Sequence, residues 1–286
     1  DKGLIKKKTI PLFDDWMLDS HQDIVRRFGQ AELCSHKVVC EDGDSTTFGG
    51  GYVNIIRDPE SDVYKCWYPV SGEREIGGKN FNTFLCYLES EDGFNWHKPV
   101  LGLHEYNGST ENNIVLNGRG PIIKDDTEPD PNKRFKGIKR IFAGQGGRDA
   151  GDPHYAKRGA HANYSPDGIH WTEGPNVDLP EWVDGPPDIG VLVRDDQDPD
   201  PSRRYKTVIQ EMVPLKKPDI KHAAERYRGM GRAKILLYGP DIEHFRRADE
   251  NPLISPSDGL EYEDHHIMMS PYGGAWIICY EYGWDV

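Results

Sequence analysis

The residues with the clearest chemical potential are two adjacent carboxylates, Asp14 and Asp15, which interrupt the otherwise apolar stretch 10–19 directly beside Trp16. Carboxylates that break an apolar strand are candidates for acid–base chemistry, and the competing interpretation is that they cap a turn. The neighbouring tryptophan offers a flat apolar face to a ring-shaped ligand. The stretch therefore predicts one wall of a site in which carboxylates and an aromatic face meet.

Two further groups offer hydrogen-bonding side chains at corresponding points of the chain. Asn112 and Asn113 follow Glu111 and precede an apolar strand. Their neighbouring donors and acceptors suit the hydroxyl groups of a sugar, with loop capping as the alternative. His265 lies at a matching strand entry after the acidic run 261–264, where we expect it to contact a substrate. No carboxylates at a fixed spacing accompany it, so no metal site is predicted.

A repeated hairpin indicates which elements position these residues. The segment 90–96 (SEDGFNW) returns at 165–171 (SPDGIHW) and, in a degenerate form, at 239–245 (GPDIEHF). The aromatic residues Trp96, Trp171 and Phe245 are 75 and 74 residues apart. An Asp-Gly pair tolerates the positive φ of a tight hairpin. Because the same residues recur in each copy, we interpret the Asp-Gly pairs as structural and the tryptophans as packing between repeats.

Each repeat also opens alike, with an apolar strand that ends in Arg-Asp or Lys-Asp, a turn, and a second strand that begins at Tyr or Phe beside Lys. Four strands per repeat predict the blades of an all-β propeller, since one four-stranded sheet cannot bury both faces until it stacks on its neighbours. We expect a single domain over 1–286, with a closing strand at 10–19 and blades at about 49–103, 112–180, 185–256 and, in part, 261–286. About three and a half blades do not close a ring, so a missing C-terminal segment or a homo-oligomeric partner is expected to complete it.

Bulk composition excludes several classes of protein. The net charge of −13 argues against a nucleic-acid partner, and no run of about 18 apolar residues predicts a membrane span. The sequence opens at Asp1 without a methionine, which fits either a removed secretion signal, and with it an extracellular or periplasmic location, or an incomplete sequence. Cys66 and Cys86 fall on neighbouring strands, where two buried thiols are favoured over a disulfide.

The Ser-x-Asp-Gly-x-x-Trp hairpins at 90–96 and 165–171 resemble the Asp-box repeats of sialidase-like propellers. Together with the Asp-Asp-Trp stretch near the N-terminus and Arg-Asp-Pro at 57–59, they make the chain resemble the five-bladed propeller glycosidases of glycoside hydrolase families 43 and 32. The resemblance implies a five-bladed propeller that hydrolyses a poly- or oligosaccharide in its central funnel without a cofactor. Some family 43 propellers hold a hydrated structural calcium ion, which is the second role that the resemblance implies for His265.

Those families place an aspartate base or nucleophile near the N-terminus, a second aspartate on a later innermost strand, and a glutamate acid on another. Asp15, or its neighbour Asp14, matches the first, and Asp188 matches the second, with a Pro-Pro-Asp turn as its alternative. The Glu-Cys-Pro triplet that carries the acid in the families is absent from this sequence. We therefore assign the acid to Glu263, at the entry of the last blade, with Glu211 as the alternative. The predicted substrate contacts are Trp16, Asn112, Asn113, His161, Glu211 and His265. The competing functions are a non-catalytic glycan- or protein-binding propeller and a related glycoside phosphorylase.

Overall fold

The structure, a computed structural model, describes residues 53–76, 79–141, 159–179, 188–214, 230–254, 267–272 and 275–280 and the single positions 22 and 30. This part of the chain is all-β, apart from two 3₁₀ turns at Pro131–Lys133 and Pro201–Arg203. In it, no helix is long and apolar enough to cross a membrane. The strands in chain order are β1 (Asn54–Asp58), β2 (Val63–Ile76), β3 (Lys79–Ser90), β4 (Ile114–Asn117), β5 (Ile122–Lys124), β6 (Phe135–Ile141), β7 (Gly159–Ser165), β8 (Thr172–Asn176), β9 (Asp188–Arg194), β10 (Tyr205–Pro214), β11 (Met230–Gly239), β12 (Arg246–Arg247), β13 (Ile267–Tyr272) and β14 (Ala275–Tyr280).

The strands form three antiparallel sheets of four consecutive strands each, β1 to β4, β5 to β8 and β9 to β12, followed by the antiparallel pair β13–β14. The first strands of successive sheets contact one another in the order β1, β5, β9 and β13. First strands that meet in chain order around one axis are the innermost strands of propeller blades. The prediction of an all-β fold built from propeller blades is therefore confirmed, and the three sheets are called blades one, two and three below.

Blade one differs from the sequence prediction in where it ends. We expected it to close near residue 103 and blade two to begin at 112, which would have made Ile114–Asn117 an inner strand. Instead Ile114–Asn117 is the outer strand of blade one and pairs with β3 at Phe84–Cys86. The hairpin at 90–96 reaches the sheet through the single bridge between Glu89 and His97. A loop then returns the chain to β3, which is a non-local pairing that no local motif announces.

The two Asp-Gly hairpins are built by their own side chains. In the second, Ser165 Oγ accepts from the amide of Gly168 at 2.8 Å, and Asp167 Oδ1 accepts from the amides two and three residues ahead, both at 2.8 Å. Trp171 Nε1 then donates to Gly168 O at 2.9 Å. Gly168 has φ +82°, a left-handed conformation that side chains with a Cβ rarely adopt. These bonds give the hairpins the structural role that their recurrence predicted.

Adjacent blades pack through apolar faces. Between blades one and two, Trp67 is fully buried against Leu85, Tyr87, Ile122 and Phe135. A corresponding cluster joins blades two and three. Trp67 Nε1 donates to Gly168 O at 2.7 Å, so the hairpin of blade two docks onto the second strand of blade one. The burial of these large side chains fixes the order and spacing of the inner strands.

A charged contact accompanies each apolar interface and is called here the inner-turn latch. An aspartate at the turn after the inner strand binds the lysine of its own second strand and a cation from the inner strand of the next blade. Asp58 lies 3.3 Å from Lys65 and accepts from Lys124 of blade two at 2.7 Å. Asp125 lies 3.1 Å from Lys136 and 3.3 Å from Arg194 of blade three, measured as N–O distances. All inner turns therefore lie at the same end of the blades.

Cys66 and Cys86 are buried and form no disulfide with each other, as the sequence favoured. They lie on the neighbouring strands β2 and β3 but are not opposite each other, since Cys66 pairs with Leu88 and Cys86 pairs with Tyr68.

Candidate functional site

The two ends of the blades differ in what they carry. The hairpin end holds the inner turns and the hairpins at 90–96, 165–171 and 239–245. The opposite end is called the insertion end, because the connections between the second and third strands of each blade emerge there, after residues 76, 141 and 214. Loops that share one end of a rigid scaffold are the usual place for binding and catalysis. The insertion end is therefore the candidate functional end.

Asp188 lies at the insertion end as the first residue of β9, the inner strand of blade three. In the strand register it pairs with Gln210, and Gln210 pairs with Lys234. Lys234 is 3% exposed, and its Nζ donates to Gln210 Oε1 at 3.0 Å. The row thus places a buried ammonium group two strands from the predicted catalytic aspartate.

Glu211 lies beside this row, one residue further along β10, and pairs with Ala233. Its side chain is buried, and Oε1 accepts from Arg247 Nη2 at 2.5 Å. Glu211, the alternative candidate for the catalytic acid, therefore forms an ion pair with an arginine of its own blade. The structure brings Glu211 and the backbone of Asp188 to the same end of blade three.

His161 lies in blade two, in the third strand, where it pairs with Lys139 and Asn176. It is 3% exposed, and its Nδ1 lies 3.6 Å from Glu173 Oε1. Lys139 Nζ donates to the other oxygen of Glu173 at 2.6 Å. The side chain of Glu173 is 41% exposed, so this carboxylate faces solvent on one side and a lysine and a histidine on the other.

The sequence did not single out Glu173, Lys139, Lys234 or Arg247. The available signal was a charged residue within an otherwise apolar or alternating strand, as at Lys139 in FKGIKRI and Lys234 in AKILLY. Such a residue is buried only if another strand supplies a partner, which the local sequence does not reveal.

Asn112 and Asn113 hold the loop that precedes β4. Asn112 Nδ2 donates to His104 O at 2.7 Å, and its Oδ1 accepts from the Ile114 amide at 3.1 Å. Asn113 is 3% exposed, and its Nδ2 donates to Tyr87 O at 2.6 Å. These bonds correspond to the loop-capping alternative that the sequence left open.

Four predicted site residues, Asp15, Trp16, Glu263 and His265, lie outside the described residues, and so does the side chain of Asp188. Their roles therefore stay predictions. Within the described ranges, no group of three or more His, Cys, Asp or Glu side chains is arranged to hold a metal ion.

The strongly shifted carboxylates lie at the hairpin end. Burial alone would raise the pKa of Asp125, but hydrogen bonds from Tyr205 and Lys136 outweigh it and lower that pKa to about 2. Burial would likewise raise the pKa of Asp58, but the contact with Lys124 outweighs it, and the pKa is lowered to about 2. Structural ion pairs shift pKa values as catalytic sites do. Because these groups repeat in each latch, we interpret their shifts as structural.

A depression of about 540 Å³ also lies at the hairpin end, on blade one, with Ser90, Asp92 and His97 in its lining. Its polar groups are already used within the hairpin, where Ser90 Oγ and Asp92 Oδ1 accept from backbone amides. The lining repeats the hydrogen bonds of a structural hairpin, at the end of the blades opposite Asp188. We therefore assign the candidate site to the insertion end.

No protein-family model and no curated protein matches the chain. Among solved structures it is similar to an N-acetylgalactosamine deacetylase from F. plautii, at 15% identity over 80% of this chain and 61% of that chain, with a TM-score of 0.48. It is similar to the family GH32 β-fructofuranosidase BmSUC1 of Bombyx mori, at 12% identity over 79% and 41% of the two chains, with a TM-score of 0.44. A family 117 glycoside hydrolase of Zobellia galactanivorans matches at 11% identity over 81% and 65%, with a TM-score of 0.39.

The chain thus spans less than two thirds of the length of each of these three proteins. At these identities and TM-scores the likeness concerns the course of the sheets, and the fold assignment rests on the strand order and register given above.

Proposed function

We propose that the protein is a carbohydrate-active hydrolase that cleaves a glycosidic bond of a poly- or oligosaccharide at the insertion end. The observation that carries the proposal is the position of Asp188, the first residue of an inner strand, at the end where the inserted loops emerge. Inner strands from several blades converge there, so carboxylates at their starts would approach one another around the axis. The proposed location is extracellular or periplasmic, and the proposed partner is a glycan.

Glycosidic cleavage needs one carboxyl group that stays protonated and one that stays ionised, about 5–10 Å apart. We assign Asp15 as the base or nucleophile, Asp188 as the second aspartate and Glu263 as the acid. Arg247 engages Glu211, which favours Glu263 over Glu211 for the acid. Trp16 would support the sugar ring through its apolar face.

The imidazole groups complete the proposed site. His161 and His265 are the proposed contacts to sugar hydroxyls, whereas the amides of Asn112 and Asn113 are used within their own loop. His161 has the best support among the described residues, because it lies near the insertion end beside the partly exposed Glu173. A glutamate next to an imidazole can accept from one hydroxyl while the ring donates to another.

The test is hydrolysis of a panel of aryl glycosides and polysaccharides by the wild type and by the Asp15→Asn and Asp188→Asn variants. Loss of a nucleophile or general base should lower the rate by at least about a hundredfold. Asp196→Asn is the matched control, since Asp196 is 58% exposed at the hairpin end. Full activity in both active-site variants would reject the assignment.

A glycoside phosphorylase is the second candidate, favoured by the buried lysines at or near the insertion end. Such an enzyme needs one acid beside several cations that bind phosphate. Lys234 lies in the row of Asp188, and Lys139 lies near the corresponding end of blade two. Cleavage that depends on inorganic phosphate and releases a sugar phosphate would identify this activity. Glycan binding without any cleavage would instead identify a binding propeller.

A further inference from the structure

The segment that joins β4 of blade one to β5 of blade two crosses the insertion end, and blade one holds it at two points. The amide of Gly118 donates to Thr83 O at 2.8 Å. Gly120 O accepts from Asn54 Nδ2 at 3.3 Å. Arg119 lies between these two contacts and is partly exposed. A fixed backbone therefore presents its guanidinium group at the insertion end, directly before an inner strand.

The same segment lies against the second strand of blade two. A Cβ on Gly120 would be 1.8 Å from Ile138 O and 3.6 Å from Lys139 Cα, so this approach requires a glycine. Because consecutive Cα atoms are about 3.8 Å apart, the Cα atoms of Arg119 and Lys139 lie within about 9 Å of each other. Both side chains are long enough to bring their charged groups onto one small anion.

Lys139 shares its carboxylate with a histidine. Its Nζ donates to Glu173 Oε2 at 2.6 Å, and His161 Nδ1 lies 3.6 Å from Glu173 Oε1. At the hairpin end, by contrast, the buried lysines of β6 and β10 each contact two carboxylates. Among the described residues, Glu173 is the one carboxylate that contacts Lys139. Arg119, Lys139 and Glu173 together thus carry one net positive charge.

We propose that Arg119, Lys139 and His161 bind the carboxylate of a uronic acid unit, and that the glycan bound at the insertion end is an acidic polysaccharide. The inference rests on the proposed function, because it names the substrate class of that site. A guanidinium group donates two parallel hydrogen bonds to a carboxylate, and the ammonium and imidazole groups supply further donors.

The charges favour the carboxylate of a glycan over a phosphate ion. One carboxylate neutralises the single net positive charge of Arg119, Lys139 and Glu173, whereas a doubly charged phosphate would leave an excess negative charge beside Glu173. The chain as a whole carries a net charge of −13, so its long-range field repels a polyanion. Local cations therefore have to supply the binding site for an acidic glycan.

The first test is affinity electrophoresis in gels that contain polygalacturonate, alginate or glucuronoxylan. Each polymer is compared with its carboxyl-reduced form, which keeps the linkages but lacks the charge. We expect at least one acidic polymer to retard the wild type, and its reduced form to retard it much less. No retardation by any acidic polymer, or equal retardation by the reduced form, would overturn the proposal.

Substitutions then test the named side chains. Arg119→Met should weaken the binding of the acidic polymer by about tenfold or more, and Arg119→Lys should restore part of it. Arg134→Met is the matched control, because it removes the same charge from a partly exposed pair with Glu60 at the hairpin end. Equal weakening by Arg119→Met and Arg134→Met would contradict the site.

A third variant should improve binding, which a folding defect does not do. Glu173→Gln keeps an acceptor for Lys139 but removes the carboxylate that competes with the glycan. The side chain of Glu173 is 41% exposed, so the fold tolerates the change. We expect the affinity for the acidic polymer to rise several-fold. Unchanged or weaker binding would contradict the proposed role of the cations.

The release of reducing ends from the same polymers separates this inference from the proposed function. Binding that depends on Arg119 without any cleavage would uphold the acidic ligand and reject the hydrolase. Cleavage of the reduced polymers alone, unaffected by Arg119→Met, would uphold the hydrolase and overturn the inference. Cleavage that requires inorganic phosphate, with a KM for phosphate that Arg119→Met raises, would assign the cations to phosphate and also overturn it.

Discussion

Replacing Asp125 with asparagine tests whether the inner-turn latches hold the blades together. Asp125 is 3% exposed and contacts Lys136, Arg194 and the Tyr205 hydroxyl. Asparagine keeps the volume but removes the charge on which these three contacts depend. The substitution therefore weakens the contacts of two cations and one hydroxyl group, and these contacts join blades two and three.

The size of the effect follows from the pKa of the carboxyl group. Its pKa falls from the ordinary value of 3.8 to about 2 on folding, which corresponds to about 2 kcal/mol of stability at neutral pH. Breaking a buried pair typically costs about 3–5 kcal/mol. Lys136 keeps Glu128 and Arg194 keeps Asp196 as second partners, so we expect a loss of about 2–3 kcal/mol for Asp125→Asn.

The pH dependence gives an independent check on the cause. A carboxyl group whose pKa is lowered by folding stabilises the protein above its unfolded pKa, and this stabilisation is lost as the pH falls through the folded pKa. The difference in unfolding free energy between wild type and Asp125→Asn should thus have its full size above pH 4 and become smaller as the pH approaches 2.

Urea unfolding at several pH values measures this difference. Asp126→Asn is the control, because Asp126 is adjacent, 61% exposed and shares Lys124 with Asp58. We expect the control to lose less than about 1 kcal/mol. Equal unfolding free energies of the two variants at pH 7 would contradict the stabilising role of the latch. So would a stability difference between wild type and Asp125→Asn that stays constant as the pH falls.

Two further predictions concern the hairpins. Gly168→Ala should lower the melting temperature by more than Gly102→Ala does. Both glycines have positive φ, but a Cβ at 168 would lie 2.4 Å from the Trp67 ring, whereas a Cβ at 102 would meet nothing within 4 Å. Similar losses of stability in the two variants would show that the close approach to Trp67 costs nothing. The hydrogen bond to Asp241 raises the pKa of His244, so an NMR titration of His244 should move to lower pH in Asp241→Asn, and an unchanged midpoint would disprove the pairing.

The hairpins were predictable because they are local. The side chain of Asp167 accepts from amides two and three residues ahead, so the motif encodes its own geometry within seven residues. The blades were predictable for a related reason, since a repeat of fixed length must place its hairpins in equivalent positions.

The limits of the sequence prediction lie where strands meet side by side. The outer strand Ile114–Asn117 was misplaced because its pairing with β3 spans a long loop. The contacts of Glu173 with Lys139 and of Glu211 with Arg247 join strands whose register is set by packing, and no local pattern reveals them.

The candidate site divides in the same way. The place of Asp188 at the start of an inner strand could be predicted, and Asp188 is the first residue of β9; its catalytic role stays a prediction. The use of Asn112 and Asn113 within the loop could not be predicted, because an amide that caps a loop and an amide that binds a hydroxyl present the same groups.

The most direct test of the central claim is a crystal structure of the Asp188→Asn variant with an oligosaccharide that the wild type cleaves. The claim predicts that the sugar lies at the insertion end, over the start of β9, with a ring between position 188 and a second carboxylate. A sugar bound at the hairpin end, in the depression beside Ser90 and Asp92, would contradict it.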